Sequence, residues 1–153
     1  MMKKTDSASA KKDMLRFAQD EAKRQGHRWT ETREQLLESL LDAAQPVTAY
    51  QLMDKVAKRN DRLVQPASVY RSLDALIALG IVARVESINA FIVCQHPKEH
   101  HQHVFLVCDH CGQIDEIADC SISSKLTKDA ASKGFKASRQ ILELHGDCRA
   151  CRP

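Results

Sequence analysis

The chain has 153 residues and a formal net charge of +3, and 43% of its residues are hydrophobic, which is enough for one ordinary domain or two small ones. No apolar run approaches membrane-spanning length, and none follows the opening lysines, so the expectation is a cytoplasmic protein with no membrane partner and no signal peptide. In a reducing compartment, six cysteines are better read as metal ligands or free thiols than as disulfides.

The charge is unevenly divided. Residues 1–94 hold 15 Lys/Arg against 12 Asp/Glu, while residues 95–153 hold 8 against 8. A basic front and a neutral-to-acidic back suit a nucleic-acid-binding module joined to a second unit.

In chain order, MLRFAQDEAKRQG carries Met14, Leu15, Phe17, Ala18 and Ala22 at helical spacing before Gly26, which predicts a first helix with basic edges. A second helix follows Thr30, a candidate N-cap, with leucines at 36, 37, 40 and 41 and Pro46 past its end. Thr48 caps a third, TAYQLMDKVAKRN. The fourth opens with Pro66 at a first-turn position and stops at Gly80; its apolar set of Val69, Leu73, Leu76, Ile77 and Leu79 leaves Ser68, Arg71, Ser72 and Asp74 for another face. The period then shortens. IVARVESINAFIVC reads as two β-branched runs around a turn at Ser87–Asn89, a hairpin.

Helices followed by a hairpin are the order of a winged helix, in which the helix before the hairpin enters the DNA major groove. Other small α+β domains share that order. Residues 95–102 are polar and read as a hinge. Beyond it HVFLVC and GQIDEIA are strand-like, SISSKLTKDAASKG is helical and FKASRQILELHGDC is extended, a βαβ-type unit. Roughly fifty residues make a small core with open sheet edges, which calls for a metal, dimerisation or both. The expected division is therefore 1–94, a hinge at 95–102, and 103–153, with an α+β fold class.

Five of the seven histidines and two of the six cysteines fall within HPKEHHQHVFLVCDHCG, residues 96–112. CDHC at 108–111 and CRAC at 148–151 each present two thiolates to one ion, and two such turns close a tetrahedral zinc shell with no open position. Gly112 and Gly146 are expected to ease the tight backbone beside them. Cys108, Cys111, Cys148 and Cys151 are thus a candidate structural zinc site. A dithiol redox couple is the competing reading, but it needs a single C-x-x-C at a helix N-terminus. Cys94, His96, His100, His101, His103 and Glu116 could form a second site bridging two units, and a thiolate among the ligands favours zinc over iron or manganese. Idle, solvated loop histidines are the alternative. His110 and His27 are read as ordinary, Cys120 as a small residue at a helix start, and His145 stays open between a supporting role and another site.

Arg71, on the helix before the hairpin, can bind guanine O6 and N7 bidentately, and Tyr50 can reach a phosphate or a thymine methyl. The alternatives are a surface ion pair for Arg71 and core packing for Tyr50. Lys11, Lys12, Arg16, Lys23, Arg24 and Arg28 could add phosphate contacts.

TAYQLMDKV, PASVYRSLDALIALGIVARVES, INAFIVC, FLVCDHCGQIDEI and ELHGDCRAC, in that order from about residue 13 to 151, resemble the ferric uptake regulator family and most closely its zinc uptake regulator branch. The resemblance implies an N-terminal winged-helix DNA-binding domain and a small C-terminal α/β dimerisation domain. It implies a homodimeric, zinc-responsive repressor of zinc-uptake genes acting on an inverted-repeat operator in double-stranded DNA, and not an enzyme. It places structural zinc on Cys108, Cys111, Cys148 and Cys151, sensing zinc on Cys94, His101 and Glu116, and base reading on Tyr50 and Arg71. Some relatives put a histidine ligand where this chain has Ala83, which leaves His96, His103 or water as the fourth sensing ligand.

An iron- or peroxide-sensing regulator of the same family is the alternative. A zinc hydrolase is a further one, disfavoured by the closed Cys₄ shell and by the absence of H-x-E and P-C-x-x-C.

Overall fold

The computed structural model describes residues 4–95, 97, 104–117 and 120–153. The chain separates into two compact units, Met1–Arg84 with Asn89–Cys94, and Val85–Ile88 with Gln95–Pro153. The turn of the hairpin thus groups with the second unit, which the sequence does not suggest. Most of the expected hinge, 95–102, lies outside the described residues.

The first unit holds four helices and a small sheet. Helix α1 spans Lys4–Arg24, α2 Glu31–Leu41, α3 Ala49–Asn60 and α4 Pro66–Ala78. Strand β1 is Val47–Thr48, β2 Val82–Val85 and β3 Ala90–Val93, with a 3₁₀ turn at Glu86–Ile88 between β2 and β3. Helix α1 begins at Lys4 rather than near Met14. Its first turns contain no large apolar residue, so they carry helix propensity without hydrophobic period.

Capping fixes the next two helices. Thr30 Oγ1 accepts the Arg33 N–H at 3.3 Å, and Thr48 and Gln51 form a reciprocal capping box at the start of α3. Pro66 occupies the first turn of α4, and Gly80, at φ +72°, takes the left-handed position just after it. Leu36, Leu37, Leu52, Val56, Val69, Leu73, Leu76, Ile81 and Val82 are buried together in one core. Ser72 joins the buried side of α4 rather than the polar face expected for it. It follows Val69 by three residues and precedes Leu76 by four, so its position on the helix outweighs its polarity.

Strand β1 pairs antiparallel with β3, Val47 opposite Phe91, and the sheet order is β1-β3-β2. Two residues are too few to show a strand period, so β1 escapes a sequence reading. The hairpin turn closes through Asn89 at φ 48°, whose Oδ1 accepts from Arg84 Nη2 at 2.7 Å.

The second unit contains β4 (Val104–Cys108), β5 (Ile114–Ile117), α5 (Cys120–Ser132) and β6 (Leu142–Gly146), with sheet order β5-β4-β6. The expected βαβ character survives in modified form. Strand β4 is central and parallel to β6, and β5 is an antiparallel edge inserted before the helix of the crossover. Most of the segment before Leu142, expected to be extended, pairs with no strand.

A polar contact sets the seating of α2 on α3. Gln35 Nε2 donates to Asn60 Oδ1 at 2.9 Å, and Asn60 Nδ2 returns the bond to Gln35 Oε1 at 2.8 Å. Gln35 is buried, so neither amide has an easy substitute in water. Gln35→Ala strands Asn60 and is expected to cost about 1–3 kcal/mol of unfolding free energy, read as a lower urea midpoint at unchanged slope.

Candidate metal centre and nucleic-acid interface

Strand β4 ends on Cys108, and the chain turns back at once. Gly112 N–H reaches Cys108 O at 3.0 Å, with Gly112 at φ +72°, where a side chain would be strained. Gly146 has no positive φ, so only the first of the two expected glycines is demanded by the backbone. Asp109 N–H bonds to Gly146 O at 2.9 Å, and Cys151 N–H to Cys148 O at 3.0 Å closes the second turn.

These turns bring the four Sγ atoms of Cys108, Cys111, Cys148 and Cys151 within 4.8 Å of one another. Cys111 Sγ lies 3.7 Å from Cys148 Sγ. Zinc with bonds of about 2.3 Å and tetrahedral geometry requires sulfur atoms about 3.8 Å apart, so the cradle has the right size. The Cys148 N–H already points at Cys108 Sγ, at 3.3 Å.

The electrostatics agree. Amide hydrogen bonds from Cys111 and Cys148 draw the Cys108 thiol down to about 6, whereas sulfur contacts with Cys148 and Cys111 push Cys151 up to about 12. Four thiols this close do not all ionise without a cation among them. A bound dication reverses that order and makes all four thiolates. The shell is closed and leaves no position for a reacting water.

The second expected metal set is described only in part. Cys94 is 2% exposed at the end of β3 in the first unit, its N–H bonded to Ile81 O at 2.9 Å. Glu116 lies on β5 in the second unit, where its Oε2 accepts the Gln95 N–H at 3.1 Å. His96, His101 and His103 lie outside the described residues, as does His100. Ala83 is buried on β2, so that strand offers no ligand there. His145 is in no cluster of metal-ligating atoms found among the described residues; its Nδ1 lies 2.9 Å from Asp109 Oδ1. His27 and His110 are exposed.

Tyr50, at the capped start of α3, is 74% exposed, which removes the core-packing alternative. Arg71 is exposed on α4 and donates from Nε to Ala67 O at 3.2 Å. No acidic side chain among the described residues pairs with it. Ala67, Tyr70, Arg71 and Asp74 share the solvent side of α4, opposite Val69, Leu73 and Leu76. Tyr70, 40% exposed, is an aromatic the sequence reading passed over; its spacing one residue before Arg71 and off the apolar stripe is the signal that finds it. Of the basic residues, Lys11 is held by Asp42 at 2.7 Å and Arg24 by Glu21, which leaves Lys12, Arg16, Lys23 and Arg28 as exposed cations.

Because the second unit depends on the four cysteines, removing one is expected to cost both metal and fold. Cys148→Ser should purify without the tightly held zinc and melt more than 10 °C below wild type, as zinc-binding energy in such sites is folding energy. Zinc per chain and a thermal melt check this together.

The Zinc uptake regulation protein of Escherichia coli is 34% identical over 116 residues, covering 75% of this chain and 66% of that protein, so the match spans just under two thirds of the relative's length. The crystal structure of holo XcZur superposes with a TM-score of 0.81 at 38% identity, covering 91% of this chain and 96% of that one. A zinc uptake regulator complexed with zinc and DNA gives a TM-score of 0.85 at 28% identity, covering 92% and 94%. Residues 24–145 match the ferric uptake regulator family, and the chain, with its winged helix and its four-cysteine cluster, belongs to that family.

Proposed function

We propose that this protein is a zinc-responsive DNA-binding repressor of zinc-uptake genes, working in the cytoplasm as a homodimer on an inverted-repeat operator, with one structural and one regulatory zinc per chain. The observation that carries the proposal is the reading face itself. Helix α4 is anchored by Val69, Leu73 and Leu76, and it presents Arg71 and Tyr70 outward with Tyr50 exposed at the start of α3. A guanidinium with no carboxylate partner among the described residues, on an otherwise well-anchored helix, suits guanine recognition. The likeness to zinc uptake regulators, one of them held with zinc and DNA, supports the same choice.

In this reading Cys108, Cys111, Cys148 and Cys151 hold the structural ion. Cys94, His101 and Glu116, with His96 or His103 as the fourth, hold the regulatory one. Zinc there would set the geometry of the two DNA-binding domains of a dimer, so that both fit their half-sites at once. Cys94 separates this reading from an iron sensor, since a thiolate ligand favours zinc. Dimerisation has support in the second unit. Leu106 on β4 and Leu144 on β6 are register neighbours and both exposed, and Ile122 and Leu126 lie one turn apart on α5 with about 40% of their surfaces in solvent. Apolar surface of that kind is best covered by a second copy.

Wild-type protein is expected to bind a few genomic fragments about 5–150-fold more tightly once more than one zinc per chain is bound. Cys94→Ser should lose that dependence while keeping its fold and first zinc, and Arg71→Ala should weaken specific binding by about 1–3 kcal/mol. Capture of fragmented genomic DNA at buffered free zinc, with metal counted alongside, tests all three. Specific capture that ignores the second zinc, or that follows iron instead, would overturn the assignment.

A further inference from the structure

Glu143 stands in the middle of β6 with its side chain only 8% exposed. A carboxylate that deep needs partners. It finds them on the backbone of the hairpin turn: Oε1 accepts the Glu86 N–H at 2.7 Å, and Oε2 accepts the Ser87 N–H at 3.2 Å. Behind it, Oε2 lies 3.5 Å from His145 Nε2, and His145 Nδ1 lies 2.9 Å from Asp109, inside the first cysteine turn. Arg139 Nη1 adds an ion pair to Glu86 at 3.5 Å. Burial pushes the Glu143 carboxyl up, but hydrogen bonds from Ser87 and from the Glu86 amide outweigh it and leave the group below its ordinary value, charged at neutral pH.

The sheet register sharpens the point. Phe105 on β4 pairs with Glu116 on one side and Glu143 on the other, so the two carboxylates share one face of the sheet. Glu116 takes the N–H of Gln95, just past β3, and Glu143 takes the turn just before β3. Residues 85–88 accordingly belong to the second unit although the strands they join belong mostly to the first.

We propose that Glu143, backed by His145 and Asp109, is a positioning residue for DNA recognition: it fastens the hairpin turn Val85–Ile88 to strand β6. The tie uses none of the regulatory ligands proposed above. The DNA part of this inference rests on the function proposed above, whereas the tie itself does not.

The test compares zinc-loaded, full-length wild type with E143A and E143Q, reading amide exchange at Glu86 and Ser87, zinc per chain, and affinity for a captured fragment. E143A is expected to exchange those amides at least about tenfold faster and to bind DNA about tenfold more weakly, the scale of a lost charged hydrogen bond, at unchanged zinc content. E143Q keeps an acceptor oxygen and should recover most of both. Unchanged amide protection in E143A overturns the tie. Faster exchange with affinity within about twofold of wild type overturns the positioning role. If wild type binds no DNA at any zinc level, the functional reading and the positioning role fall together, and exchange still decides the tie. Should E143A not fold, E143D shortens the side chain by one methylene and draws both oxygens back from the turn, and unchanged exchange and affinity there overturn the proposal equally.

Discussion

The four-cysteine cluster is the constraint on which the second unit rests. Among its described residues only Val85, Val104, Phe105, Val107, Cys108 and Ser123 are buried, too little apolar surface for a three-stranded sheet and one helix to hold together in water. Strands β4 and β6 are parallel, so a long crossover separates them, and closing it costs chain entropy that six buried residues do not offset. A metal held by Cys108 at the end of β4 and by Cys148 just past β6 would tie the two strands where they finish, on the sheet that carries Glu116, Glu143 and His145.

The first unit is built on the opposite principle. Its core of leucines and valines, its capping box at Thr48 and its Gln35–Asn60 pair need no ion. Tyr50, Tyr70 and Arg71 are therefore placed by packing and capping alone. The regulatory ion proposed above would have no reading surface to create; it would act by choosing among arrangements of surfaces that already exist. A division of labour of that kind would suit two ions of different chemistry. A closed all-thiolate shell holds its ion through the life of the fold, and a mixed Cys/His/carboxylate set is the more readily exchanged.

Much of this was legible in the sequence, and the exceptions have physical causes. The paired C-x-x-C turns, the caps at Thr30 and Thr48, Pro66 and the hairpin were readable because each is fixed by neighbours within a few residues. Strand β1 was too short to show a period, and the first turns of α1 have no apolar stripe. Ser72 was misplaced because polarity was weighed above helical position, and Tyr70 was passed over because attention went to its neighbour Arg71. Glu143 could not be found at all: its partners, Glu86 and Ser87, are more than fifty residues away, and they are backbone amides, which any residue type supplies. The set Cys94, His101 and Glu116, with His96 and His103, came from residue chemistry and family resemblance. Of these the structure describes only Cys94 and Glu116.

Glu116 and Glu143 stand on either side of Phe105 in the sheet register, and both carboxylates accept backbone N–H groups flanking β3. Glu143 is enclosed by the turn and by His145, and it has no thiolate beside it in sequence or sheet. Glu116 holds the amide of Gln95, the residue that follows Cys94 directly in the chain. The two carboxylates thus grip backbone amides from opposite sides of a single strand, and neither bond depends on which residue type supplies the amide.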